Sequence, residues 1–373
     1  MRSAGSNITI PTISYADNAT TDAFRLRTSE PVTLFDSKQI FDNLPLLYDD
    51  QEVSGSGTTS TWSQDTASSV MVAETTAKRV RQSFMWFNYQ PKSHQIITTV
   101  LRKSGGGTIK SAMYFNDENV FVLDNETPTM VLRSYVTSAV DTEVAQSSWN
   151  IDTMDTDSGM TIDFTKSQIF FTDLEWLVAV RVFVIDRKIY YVHQFNHANT
   201  ISVYMSTANL PVRYEIENDG TAASTFEVIC SSVASEEQRN GILQSNSTAI
   251  SSLNSASYAV MRLKTTCFAS VIVENMSVIS ANDQAEWAFY VSVATFTFSN
   301  KTNSCVQIAE TASNTFTGTR IDGYFTTEQI QFTLPNATRL SSIDGTPQEW
   351  YLVVTPITNN ITVRASVTWR ELL

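Results

Sequence analysis

The stretch ITVRASVTWR, residues 361–370, alternates without a fault. Ile361, Val363, Ala365, Val367 and Trp369 share one face. Thr362, Arg364, Ser366, Thr368 and Arg370 share the other. Successive side chains point to opposite faces only in extended chain, so an apolar face backed by a polar one specifies an antiparallel sheet buried on one side. The same idiom recurs along the chain. Strands are expected over 69–73, 79–89, 95–103, 110–115, 119–123, 130–135, 258–263, 268–273, 287–298, 330–334 and 350–355, separated by Gly, Pro and Asn. No stretch holds a period of 3.6 over three turns. Many short strands without intervening helices make the expected fold all-β, with antiparallel, jelly-roll-like β-sandwiches.

Three parts are expected. Residues 1–62 read as an extended N-terminal arm and anchoring segment, weakly alternating, punctuated by Pro11 and Pro31 and loosened by Ser54-Gly55-Ser56-Gly57. A larger β-sandwich follows over 63–235 and a smaller one over 250–373. The polar, aperiodic stretch 235–254 is the natural linker between them. Gly105-Gly106-Gly107 lies between two expected strands and reads as a hairpin loop. A phosphate cradle would need a helix after it to aim N–H groups at the ligand.

Charge narrows the function. The 373 residues carry a net charge of −13, and only 17% are charged. Phosphate recognition needs clustered Lys and Arg, so nucleic acid is not an expected partner. Lys78-Arg79-Val80-Arg81 is instead a strand edge. Cys230, Cys267 and Cys305 lack any CxxC spacing, which argues against structural zinc and against a disulfide framework. The N-terminus lacks the apolar core of a signal peptide, and no run approaches the ~18 apolar residues of a membrane span. A soluble chain made without a secretory signal, with no membrane partner, is the expectation.

Residues 173–197, DLEWLVAVRVFVIDRKIYYVHQFNH, hold two of the three histidines. Asp186-Arg187 is the expected two-residue turn. Ile185 then pairs with Lys188, Val180 with His193, and Trp176 with His197. Both histidines fall on the apolar face, with Asp173 and Glu175 on the polar one beside Arg181 and Gln194. Opposite faces cannot share a metal, so no metal site is expected. The loop from Asp152 through Asp155 and Asp157 to Gly159 starts like a calcium loop. The acid that would close it, counted from Asp155, is Lys166. A solvated turn is expected there. No G-x-S-x-G elbow is present, and only His94 lies outside the hairpin, so nucleophilic catalysis has no local support. No carboxylate pair is marked either. The chain is expected to be no enzyme and to hold no cofactor. Trp62, Trp86 and Trp149 are the aromatics placed to face a ligand such as a sugar.

Six segments form a recognisable set: FDSKQIFDNLPLLYDDQEVSGSGTTST (35–61), RVRQSFMWFNYQPKSHQI (79–96), QSSWNIDTMD (146–155), TIDFTKSQIFFTDLEWL (161–177), YMSTANLPVRYEIENDGT (204–221) and VTWREL (367–372). In their order they resemble a family of virion structural proteins of tailed bacteriophages and some other aquatic viruses. The resemblance runs from about residue 32 to the C-terminus. It implies a self-associating exterior component of a virus particle, either capsid-associated, tail or fibre, and transfers no catalytic residue. The implied partners are copies of the chain in a homo-oligomer and other virion proteins engaged through the N-terminal arm. The alternative is a receptor- or glycan-binding virion protein that recognises a host surface glycan.

Overall fold

Alternation decides which face of each strand is covered, because a face that buries Val, Ile and Trp needs a second sheet over it. The computed structural model describes residues 32–372 except 89–93, 114–120, 124–127, 135–139, 156–158, 164, 176–178, 187, 200–208, 219, 221, 236–240, 266–269, 281–283, 293–296, 327–329, 333–337, 340–342 and 345. The N-terminal arm expected over residues 1–30 lies outside these. The fold is all-β, with every described strand pair antiparallel. It comprises two sandwiches of two sheets each.

In the first body, one sheet runs in the order Lys188–Asn196, Ala179–Asp186, Gln168–Glu175, His94–Ser104, Ser224–Ser235, Ser68–Ala73, Thr58–Ser63. Val32–Lys38 also pairs with Ser224–Ser235. The facing sheet runs Val140–Ala145, Pro128–Ser134, Phe121–Leu123, Thr108–Met113, Asn209–Glu217, Lys78–Asn88, Tyr48–Ser54. Between them lie Phe226 and Val228 from one side, and Tyr214, Ile216 and Ile109 from the other. Residues 32–63, expected as an anchoring segment outside the sandwich, supply three of its strands.

Gly105-Gly106-Gly107 is a sheet-to-sheet crossing and not a hairpin, because His94–Ser104 and Thr108–Met113 belong to opposite sheets. The glycines are required there. Gly105 and Gly107 have φ of +83° and +77°, and an added Cβ would sit 2.6 Å from the Ala223 carbonyl oxygen and 2.5 Å from that of Glu217.

The second body pairs Ile242–Leu253, Ile361–Leu372, Ser270–Ser280 and Ile330–Phe332 in one sheet, with Thr338–Arg339 also on Ser270–Ser280. The other sheet runs Ser299–Asn300, Val306–Ala309, Tyr258–Thr265, Glu349–Pro356, Ala285–Ser292, Thr319–Thr326. Ile361–Leu372 keeps the alternation read from its sequence: Ile361, Val363, Ala365, Val367 and Trp369 are all buried. The expected linker 235–254 instead contains a twelve-residue strand, Ile242–Leu253. Its polar sequence suits an edge position, where only one neighbour has to be satisfied. In this body Glu371 is fully buried. It accepts hydrogen bonds from Ser304 Oγ, from Cys305 N at 3.0 Å and from Trp369 Nε1 at 2.8 Å.

The two bodies meet where Ser270–Ser280 and Thr338–Arg339 lie against Lys78–Asn88. Asp49 Oδ2 accepts from Ile343 N across this junction at 2.7 Å.

Candidate functional site

Residues 39–47, QIFDNLPLL, cross from the first sheet of the larger body to the second, joining Val32–Lys38 to Tyr48–Ser54. Asp42, Asn43 and Pro45 are turn formers, and each helps to reverse the chain. Asp42 Oδ1 accepts from Asn43 N at 2.6 Å. Leu44 takes φ of +51°, a conformation disfavoured for a branched side chain that persists only where its surroundings over-determine it. Its carbonyl accepts from Leu47 N at 2.9 Å and Tyr48 N at 3.1 Å.

The bracing comes from beneath and from the side. Arg81 is 1% exposed, lies directly opposite Asp50 in the strand register, and donates Nη1 to Asp50 Oδ2 at 3.1 Å. Its Nη2 reaches the Asn43 carbonyl and, at 3.4 Å, Gln39 Oε1. The guanidinium lies 4.2 Å from the centre of the Tyr48 ring. The Tyr48 hydroxyl in turn shares hydrogen bonds with Ser37 Oγ at 2.7 Å and Ser231 Oγ at 3.1 Å. Burial pushes the Tyr48 phenol up, so it stays neutral. From the side, Asn43 Nδ2 donates to the Ser60 carbonyl at 3.0 Å, and Ser69 Oγ donates to Asn43 Oδ1 at 2.9 Å. Trp62 Nε1 donates to the Gln39 carbonyl at 2.8 Å.

A loop held this firmly still leaves apolar side chains in water. Phe41 is 71% exposed, Ile40 63% and Leu46 44%. Apolar area costs roughly 25 cal/mol per Å² while it stays wet. Fixed apolar groups on a pre-organised loop favour docking against another surface, because the ordering entropy is already spent. The loop's one carboxylate, Asp42, spends Oδ1 on the turn itself, so the side chains it leaves most exposed are apolar and suited to contact.

Of the aromatics expected to face a ligand, Trp86 and Trp149 are buried at 2% and 4%. Trp149 sits in the core between the sheets, with Nε1 donating to the Val144 carbonyl. Trp62 alone of the three remains half-buried at the surface. The reason is position. Trp86 lies in Lys78–Asn88, an interior strand of its sheet, whereas Trp62 lies on the edge strand Thr58–Ser63.

The 173–197 hairpin departs from its expected register. Asp186, not Ile185, is the partner of Lys188, and a bulge falls between Val182 and Phe183. His193 therefore faces Val182, not Val180. Two one-residue slips restore the original parity, so His193 stays on the core side as expected. It is buried, accepts from Asn150 N through Nδ1 at 3.2 Å, and packs edge-on against Phe195. Burial lowers its pKa. Trp176 lies outside the described residues, and His197 falls just past the strand end.

Asp173 and Glu175 keep the face opposite the core, where solvent or a neighbouring subunit is expected, and both are buried within the chain. The register sets Arg181 directly across from Asp173, and His94 directly across from Glu175. Among the described residues no group of three or more His, Cys, Asp and Glu is placed to hold a metal. In the acidic loop, Asp152 Oδ1 accepts from Met154 N and Asp155 Oδ2 from Thr153 Oγ. Those oxygens serve the turn itself, and Asp157 lies outside the described residues.

Sequence reasoning singled out neither Ile40 nor Phe41. The signal was the placing of Asp42-Asn43 and Pro45 inside an apolar run, which forces hydrophobic residues onto a turn.

No protein-family model and no curated protein matches the chain. Among solved structures it is similar to a legume lectin-like domain from Entamoeba histolytica, at 7% identity and TM-score 0.36, over 55% of this chain and 98% of that one. It is similar also to the Emp47p carbohydrate recognition domain, at 12% identity and TM-score 0.33, over 56% and 98%. A third is arcelin-5, a lectin-like defense protein from Phaseolus vulgaris, at 9% identity and TM-score 0.33, over 56% and 99%.

Proposed function

We infer that the chain is a non-enzymatic structural protein that works by surface association, as an exterior component of a virus particle. The observation that carries this reading is the braced 39–47 loop, which presents Ile40, Phe41 and Leu46 to solvent on a rigid support. The ionisable groups beneath the loop are tied to one another, as Arg81 and Arg79 are to Asp50, which leaves them structural. The segment resemblance to virion structural proteins supplies the particle.

Replacing Ile40 and Phe41 together with Ser tests the reading. The variant should fold with unchanged stability, because exposed positions away from special features shift it by roughly 0.5 kcal/mol or less. It should fail to enter particles when supplied in place of the wild-type chain. Normal incorporation of a folded variant refutes the loop as the docking surface.

One observation favours a second reading, binding of a host glycan. Trp62 is half-buried at the sheet edge, and its indole is fixed by the Nε1 bond to Gln39, as a sugar-stacking ring would be. Saturable binding on a glycan array that disappears with Trp62→Ala would favour this reading over pure assembly. Absence of any glycan signal removes it.

A further inference from the structure

A sheet edge is a row of unpaired N–H and C=O groups, and proteins ordinarily protect it with charge, proline, a bulge or brevity. Most described edges here are protected. Tyr48–Ser54 carries Asp49, Asp50 and Glu52. Val140–Ala145 carries Asp141 and Glu143, and Thr319–Thr326 carries Arg320 and Asp322. Lys188–Asn196 carries Lys188 and takes part in the bulged pairing. Thr58–Ser63 has six residues, and Ile330–Phe332 and Ser299–Asn300 have three and two.

Ile242–Leu253 differs. It is a twelve-residue edge strand without one charged residue or proline. Its partnership with Ile361–Leu372 is regular from Ile242 through Ile250, and the register shifts only between Ile250 and Leu253. Those nine regular residues read Ile-Leu-Gln-Ser-Asn-Ser-Thr-Ala-Ile. About Asn246 they form a palindrome of residue class: Ile242 mirrors Ile250, Leu243 mirrors Ala249, Gln244 mirrors Thr248, and Ser245 mirrors Ser247.

We propose that this edge pairs antiparallel with the same edge of a second copy, about a two-fold axis through Asn246 and normal to the sheet. Such an axis keeps each copy's inner face inward, so a residue must meet one of its own parity. The palindrome satisfies that condition, setting apolar against apolar at the ends and polar against polar in the middle. The result joins two five-stranded sheets into one ten-stranded sheet. Nine paired residues offer on the order of ten backbone hydrogen bonds, the number a typical interface carries.

Three further observations support a second copy as the occupant. The outward side chains Ser245, Ser247 and Ala249 are small and leave the edge unobstructed. Two of the inward polar side chains, Gln244 and Asn246, are already tied within their own chain. Gln244 Nε2 donates to the Asn303 carbonyl at 3.0 Å, Asn246 Nδ2 donates to Glu310, and Lys301 Nζ donates to Asn246 Oδ1 at 3.4 Å. On a chain of net charge −13, an uncharged segment is also where two copies approach with the least repulsion. Ile242 and Leu243, half exposed at 50% and 54%, gain cover from the partner's Ile250 and Ala249.

The inference extends the association reading to a different surface, and its test needs no particle. Sedimentation velocity of the full chain over a concentration series should show a species of twice 41.6 kDa. Ser245→Lys should weaken that dimer by roughly two- to fivefold, because it sets like charges beside the two-fold. Adding Ser247→Glu should restore it, since position 245 faces position 247 of the other copy. A wild-type chain that stays monomeric, or a dimer indifferent to Ser245→Lys, overturns the proposal, and failure of the second change to rescue overturns the register. Should the lysine variant not fold, hydrogen exchange on the wild type decides. Amides of 242–250 must gain protection with concentration while those of Thr58–Ser63 do not. Protection gained at 39–47 instead would place the dimer on the loop and sink the edge. Failure to enter particles with this dimer intact would count against the function alone.

Discussion

Replacing Arg81 with Met should loosen the 39–47 loop and destabilise the larger sandwich in one step. Methionine keeps most of the length and the apolar contact with Tyr48, but removes the charge and the donor fork. Breaking a buried pair by removing one partner costs about 3–5 kcal/mol. Here the low end applies, because Asp50 keeps the Arg79 Nε bond at 2.7 Å and is not orphaned. The Asn43 carbonyl loses a charged donor, and such bonds are worth about 1.5–3 kcal/mol, though the two losses overlap. Together they come to roughly 3–4 kcal/mol. With a urea slope of about 2 kcal/mol per M, the midpoint for this body falls by roughly 1.5–2 M. Urea unfolding followed by peptide-resolved hydrogen exchange reads both effects, the global shift and faster exchange across 39–48. Arg81→Lys should fall between, since a point charge cannot reach Asp50 and the loop carbonyl together. A shift below about 0.5 M with unchanged loop exchange would refute Arg81 as the brace.

Three other outcomes follow from the same geometry. Trp369→Ala, at a fully buried position, should cost about 3–5 kcal/mol in the second body and leave the first body's transition in place, checked by exchange of peptides from each. Burial works to raise the Glu371 carboxyl, but hydrogen bonds from Ser304, Cys305 and Trp369 outweigh it and hold the group below 4.5. Its contribution is therefore full above that value and is lost as pH falls through the folded-state pKa. Unfolding curves across acidic pH should show a slope that Glu371→Gln flattens. Gly107→Ala, which forces a side chain to φ of +77° against the Glu217 carbonyl, should cost about 1–3 kcal/mol by thermal melting, and Thr108→Ala beside it far less.

Strict alternation made the fold class legible, and it survives almost residue by residue in Ile361–Leu372. Alternation reports which face a side chain takes, and nothing about which strand lies alongside. That is why Gly105-Gly106-Gly107 read as a hairpin when it crosses between sheets, and why Ile242–Leu253, polar and on an edge, read as a linker. In the 173–197 hairpin the facing of His193 was recoverable, because a one-residue shift of partner at Lys188 and a bulge cancel in parity. The burial of Asp173 and Glu175 was not, since alternation places them on the polar face and does not report what covers that face. The aromatics illustrate the same limit. Trp62, Trp86 and Trp149 look alike in sequence, and only the edge position of the first keeps it at the surface.

The placing of Ile361–Leu372 at the middle of its sheet sets a timetable for synthesis. Its two neighbours, Ile242–Leu253 and Ser270–Ser280, are made long before it. At roughly 5–20 residues per second, the ribosome needs on the order of 7–26 s to travel from the first of these to the strand that joins them. Through that interval the self-matching Ile242–Ile250 segment has neither edge occupied. Nascent chains on one polysome hold it close to identical copies. Translation slowed upstream of residue 361 should therefore raise aggregation of this chain, and a trigger-type chaperone that shields emerging strands should relieve it.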